Sequence, residues 1–299
     1  MNTIFTRLVL NELSINISNS IFVSCFGENL LGGAVYVHNT GTNAEIHDCT
    51  FCNCSCTGIG QVGRRANVGG GGIMLKTYKL CIERICVEKC FAKGCGGGFH
   101  VEASTSSSQT IQTSTVVECS SDSFYGAFGC EESHTNMNNI NISKTTCTGA
   151  VFGAGYAPVS NSISYISVTK SICEYPIQLE SISSTSAYSS YCNIINNTDS
   201  YLVISYWSHN YADHFVFLYN TGYSLYYYSS SVTVSNSISD KPVLVSGNPI
   251  SGVTISSQSN SNQIGGLDMC SNTTTEFRTL SVRPRPPYAL IFLAGLAER

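Results

Sequence analysis

Four cysteines crowd the segment Cys49-Thr50-Phe51-Cys52-Asn53-Cys54-Ser55-Cys56, the densest set of potential metal ligands in the chain. Zinc needs four ligands converging on one tetrahedral point. On an extended strand, Cys52, Cys54 and Cys56 share one face at steps of about 7 Å, while Cys49 points to the other. Ligands that diverge along a strand cannot converge on an ion. The pattern predicts stacked, buried thiols, some bridged across neighbouring coils, and neither a metal nor a cofactor. The total of 15 cysteines is odd, so at least one thiol has no partner within a monomer.

A second chemical set follows the strand-like segments that carry glycine pairs. Alternation places Tyr36, Met74, His100, Gly129 and Gln178 on one outward row, with His38, Lys76, Glu102, Glu131 and Glu180 one step further along. If these segments stack, Lys76 can pair with Glu102, and Glu102 with Glu131 forms a carboxylate couple suited to acid–base work or cation binding. At an exposed strand end, water would hold both carboxylates near their ordinary values. The expectation is therefore a solvated polar ladder with no catalytic role. No closely paired aspartates and no Arg-x-Pro-x-x-Arg of the pectate-lyase kind accompany them. His47, His134, His209 and His214 are isolated and read as structural. The glycine runs at 69–72 and 96–98 precede no helical pattern, so they are not phosphate loops.

Aromatics form a third set. Eight of the 17 tyrosines fall between Tyr201 and Tyr228, together with Trp207. Alternation through Tyr226-Tyr227-Tyr228 forces at least one ring outward, where it could stack on sugars or anchor an interface.

The elements that position these residues come from a repeat. Gly32-Gly33-Ala34-Val35-Tyr36-Val37 recurs as Gly70-Gly71-Gly72-Ile73-Met74-Leu75 and Gly96-Gly97-Gly98-Phe99-His100-Val101. Weaker copies begin at Tyr125 and Gly153, so the third positions of successive hexads are Ala34, Gly72, Gly98, Ala127 and Gly155. That spacing is the signature of a repeat architecture. A cysteine stands at a near-constant offset before each hexad's third position, eight or nine residues at Cys25, Cys90, Cys119 and Cys147. Cys54 is the exception, because residues 58–69 insert an extra loop carrying Arg64 and Arg65. An apolar residue three positions earlier accompanies Cys25, Cys54, Cys90 and Cys119. Short alternating segments at such a period stack as coils sharing backbone hydrogen bonds at about 4.8 Å. The expected fold is all-β, a right-handed parallel β-helix of roughly nine to ten coils, with Cys25, Cys54, Cys90, Cys119 and Cys147 as an inward structural ladder.

These motifs resemble known families. Gly-Gly-Ala-Val at 32–35 and Phe-x-x-Asn at Phe217–Asn220 resemble the repeats of chlamydial polymorphic outer-membrane proteins. The cysteine-bearing form is similar to the β-helix surface proteins of trichomonad parasites. The resemblance is strong over residues 20–160 and implies a surface or adhesion role without a defined active site.

Composition fits a solenoid. Charged residues are 11% of the chain, against about 25% in ordinary globular domains. A net charge of −4 offers no basic stripe for nucleic acid. Residues 1–275 read as the β-helix, with Gly/Cys-rich coils over 1–180 and shorter aromatic-rich coils over 181–275. Residues 276–299, with Pro284, Pro286 and Pro287, read as an irregular tail. Cysteine content and five Asn-x-Ser/Thr sequons, at Asn16, Asn53, Asn141, Asn196 and Asn272, suit an extracellular or cell-surface protein. No signal peptide is evident at Met1–Leu8, and no segment reads as transmembrane. The chain reads as a fragment of a longer secreted protein. The expected function is non-enzymatic adhesion or interaction with host or cell-surface proteins or glycans; a polysaccharide lyase or hydrolase is the alternative.

Overall fold

The computed structural model describes residues 2–249, apart from 63–64, 104–105, 158–160, 182–185, 207–208, 223 and 241–243, together with Cys270. Trp207, the strand expected at Val253–Ile255 and the tail at 276–299 lie outside these residues. The described chain is all-β, a parallel β-solenoid of about eight turns.

Each turn repeats one path. A hexad strand such as Val35–His38 leads into a long face of two consecutive strands, Asn43–His47 and Thr50–Cys52. The short strand Ser55–Cys56 then returns the chain toward the next hexad. Strands pair in parallel with the same strand of the turns above and below, as in Val35 opposite Ile73 and Ile73 opposite Phe99. The insertion after Cys56 is an antiparallel hairpin of Gly60–Val62 with Arg65–Val68, an arginine-bearing excursion from an otherwise parallel array.

Two left-handed residues bend each coil. Asn19, Asp48, Arg84, Thr113, Asn139, Tyr165, Tyr191 and His214 form one column with φ of 48–57°. Ser24, Asn53, Lys89, Glu118, Lys144, Lys170, Asn196 and Tyr219 form a second, always five residues later, with φ of 51–59°. Asparagine adopts this conformation readily; tyrosine, lysine and threonine do so only at a cost of about 1–2 kcal/mol each. The core and the interstrand hydrogen bonds offset that cost, because the two bends are what aim successive inward side chains at one axis. Gly32, Gly70 and Gly96, at φ of 72–78°, turn the chain into the first hexads.

Inward positions stack by type. Phe22 lies on Phe51 at 4.8 Å, and Phe99 on Phe128 at 4.5 Å, each pair nearly parallel. Such ladders bury large apolar surfaces at about 25 cal/mol per Å² and hold each coil to its neighbours.

The fifth hexad sits four residues earlier than its glycines suggest. Phe128 pairs with Phe152 and Gly129 with Gly153, so the repeat runs from Gly149 and not from Gly153.

Candidate functional site

The outward side of the hexad strands brings together the expected polar row. Lys76 stands opposite Glu102, and Glu102 opposite Glu131, in consecutive parallel strands. His38 heads the row beside Lys76, Gly155 follows Glu131, and Glu180 lies further along beside Tyr206. The Lys76 ammonium contacts Glu102 Oε1 directly.

This row is not a solvated ladder. His100 is 0% exposed, and Glu102 and Glu131 are each 1% exposed. Within the row only His38, at its head, is exposed, and its Nδ1 meets the Tyr36 hydroxyl at 3.2 Å. Over His100, Gly129 and Gly153 lies an outer layer that local alternation does not reveal. Tyr125 is fully buried and folds over the hexad strands, with its ring on Gly129 and Gly153. It lies 6.2 Å from the His100 ring, and Tyr175, Ala150 and Ile204 extend the same apolar layer. Tyr201, Tyr206 and Tyr226 pack against it from the aromatic-rich coils.

Burial changes the electrostatics. Desolvation raises the Glu102 carboxyl to about 7; Lys76 opposes the shift and Glu132 adds to it. Glu180 is buried and accepts a hydrogen bond from Gln178 Nε2 at 3.0 Å. Gln109 Nε2 donates to the Glu131 carbonyl at 2.7 Å, tying this row to the long face. A carboxyl poised near neutrality could exchange a proton, but Glu102 is 1% exposed. Among the described residues no group of three or more His, Cys, Asp or Glu side chains could hold a metal ion.

The cysteine column needs one correction. Cys25, Cys54, Cys90 and Cys119 do stack inward, each directly after a left-handed residue. The Cys54, Cys90 and Cys119 thiols each point at the carbonyl two residues back, at 3.5 Å. Cys147 does not continue this column. Ser120 pairs with Thr146, which places Thr145 above Cys119 and Cys147 two residues further on, beside the short face. The true continuation is Thr145, Ser171, Asn197 and Asn220. Thr145 N donates to Ser171 Oγ at 3.2 Å, Ser171 N to Asn197 Oδ1 at 2.9 Å, and Asn197 N to Asn220 Oδ1 at 3.0 Å. Phe-x-x-Cys and Phe-x-x-Asn are thus one structural position, a small inward hydrogen-bonding group at the second bend.

Burial pushes several of the thiols away from reactivity, while hydrogen bonds with Cys25 and Cys90 lower Cys54. Cys49, Cys52 and Cys56 are raised to about 11 and Cys147 and Cys192 to about 12, chiefly by desolvation, while Cys90 and Cys130 rise further. One disulfide, Cys86–Cys270, joins the described cysteines, and the other 13 are free.

Residue types alone do not single out the tyrosines of the long face as a set. Tyr188 and Tyr211 pair in register, 53% and 42% exposed, with rings stacked at 5.0 Å. Beside them Tyr165 stacks on Tyr191 at 5.0 Å, and Tyr191 on His214 at 4.6 Å, all three at the first bend. Their recurrence once per turn is visible in the sequence when the bend column is known.

The fold and this site define a class, a parallel β-solenoid with a roofed polar strand face and an exposed aromatic column. No protein-family model, curated protein or solved structure matches the chain. No helix among the described residues is long and apolar enough to cross a membrane.

Proposed function

We propose that this chain is a non-enzymatic, secreted or cell-surface solenoid whose long face serves adhesion or interaction with cell-surface proteins or glycans. The observation that carries the reading is the burial of Glu102, Glu131 and His100 on the hexad face. Polysaccharide-cleaving enzymes need at least two titratable groups open to a substrate chain, and the Glu102–Glu131 pair is buried. Among the aromatics that face solvent, Tyr165, Tyr188, Tyr211 and Tyr219 lie on the long face and its two bends. Rings already stacked on a rigid scaffold lose little conformational freedom on contact, which favours a binding role. The resemblance of the Gly-Gly-Ala and Phe-x-x-Cys/Asn repeats to chlamydial and trichomonad surface proteins supports the same reading.

The alternative, a polysaccharide lyase or hydrolase, draws on Glu102 held near 7 beside Lys76. It requires Glu102 to become accessible.

The test pairs binding with turnover. Pure protein is applied to arrayed glycans and to intact cells, with a Tyr188→Ser/Tyr211→Ser variant as the control for the aromatic face. Binding that falls at least tenfold in the variant, with unchanged thermal stability, supports the proposal. Turnover of pectate, alginate or a glycosaminoglycan, lost in Glu102→Gln/Glu131→Gln, replaces it with the enzyme reading.

A further inference from the structure

We propose that Asn53 and Asn196 are acceptor sites for N-linked glycans, and that Asn141, in an equally good sequon, is not. The inference rests on the secreted reading above and adds to it a chemical modification at two defined corners of the solenoid.

The two asparagines open the sequons Asn53-Cys54-Ser55 and Asn196-Asn197-Thr198. They occupy the same structural position in different coils, the second left-handed column, with φ of 53° and 57°. Both side chains are exposed. The backbone closes each bend without the carboxamide: Asn53 N donates to Glu88 O at 3.0 Å, and Asn196 N to Leu218 O at 2.8 Å. The middle residue of each sequon, Cys54 or Asn197, is the buried inward anchor of its coil. The Asn and the Ser or Thr two residues later therefore emerge on the same outer side, with Ser55 partly exposed and Thr198 exposed. A glycan attached at a corner extends away from the solenoid and crosses no strand.

Asn141 differs in setting and not in sequence. It lies within the strand His134–Ser143, flanked in register by Thr115 on one side and Ser167 on the other, and is half-buried. A glycan there would have to lie across packed neighbouring rungs.

The chemistry needs an oligosaccharide carried on a lipid diphosphate. The Asn Nδ2 attacks the anomeric carbon, an N–C bond forms, and the C–O bond to the diphosphate breaks. The carboxamide loses one proton, and the lipid diphosphate is the leaving group. The Ser or Thr hydroxyl of the sequon is the recognition element.

The experiment expresses the full chain behind a cleavable secretory leader in a eukaryotic host. Secreted protein is treated with a glycan-removing amidase in oxygen-18 water and mapped by mass spectrometry. Labelled Asp at positions 53 and 196, with unlabelled Asn at 141, is the expected result. Ser55→Ala and Thr198→Ala should each remove one glycan from the intact mass while leaving the asparagine in place. Unmodified Asn53 and Asn196 in the secreted pool overturn the proposal, and so does equal occupancy of Asn141. Because the leader is supplied, failure here counts against the sites alone; surface labelling of the source cells tests the secreted reading separately.

Discussion

The ring of Tyr125 fills the space that a side chain at Gly153 would need: a Cβ there would lie 2.3 Å from Tyr125 Cε1, and one at Gly129 would lie 2.2 Å from Cδ2. These two glycines are the floor on which the outer layer rests. The tyrosine covers the outward strand face at these glycines and beside His100.

Gly153→Ala should therefore displace the ring. We expect a loss of about 1–3 kcal/mol in urea unfolding, the usual range for overpacking a close-packed site. Adding Tyr125→Ala should make the glycine change nearly neutral. A full, additive loss in the double variant would show that the clash lies elsewhere.

Glu102 makes stability fall with rising pH. Its folded-state value, about 7, lies above the value near 4.5 of an unfolded chain, so the folded form binds the proton more tightly. This stabilisation is fully present below about pH 4.5 and is lost as pH rises through 7. Asp199, raised to about 6 by burial, acts with the same sign over a window beginning near 3.8. Asp48 acts oppositely: Arg84 and His47 hold it below the usual range, so its contribution is present above about pH 3.8 and is lost on acidification. Urea midpoints between pH 5 and 8 should decline in the parent and decline less in Glu102→Gln, where only the Asp199 contribution remains.

The inward cysteine column tolerates serine better than burial alone suggests. Residue type and burial predict a loss of about 1–3 kcal/mol for Cys119→Ser. The structure places the Sγ 3.5 Å from the Val117 carbonyl and continues the column with Thr145 and Ser171, so a hydroxyl at 119 has an acceptor. We expect at most about 1 kcal/mol there. Cys130→Ser, between Val101 and Ala154 in register, should lose the larger amount. Equal losses at the two positions would contradict this.

Cysteine chemistry divides by the side of the strand. Non-reducing peptide mapping should find Cys86 linked to Cys270 and no cross-link among the inward thiols. Brief alkylation of native protein should label Cys52 and Cys81, which are partly exposed, well before Cys54, Cys90 or Cys119. Full labelling of all 13 free cysteines without denaturant would refute the buried column.

The repeat is legible in the residues because it is a local property. Glycine hexads with alternating apolar positions dictate strands entered through tight turns, and constant offsets dictate stacking in register. Lys76, Glu102 and Glu131 align correctly on that basis alone. Legibility fails where the motif weakens. Following cysteine and glycine, in place of the column they occupy, sets Cys147 and the fifth hexad two and four residues late. The bends at Tyr165, Tyr191 and His214 are hidden for a related reason, since tyrosine does not favour a left-handed conformation and a lone histidine does not announce one. Burial of the carboxylate row is decided by tertiary structure alone. Alternation states that Glu102 points out of the coil; whether water lies there depends on what neighbouring coils bring across the strand, as Tyr125 does over Gly129, Gly153 and His100.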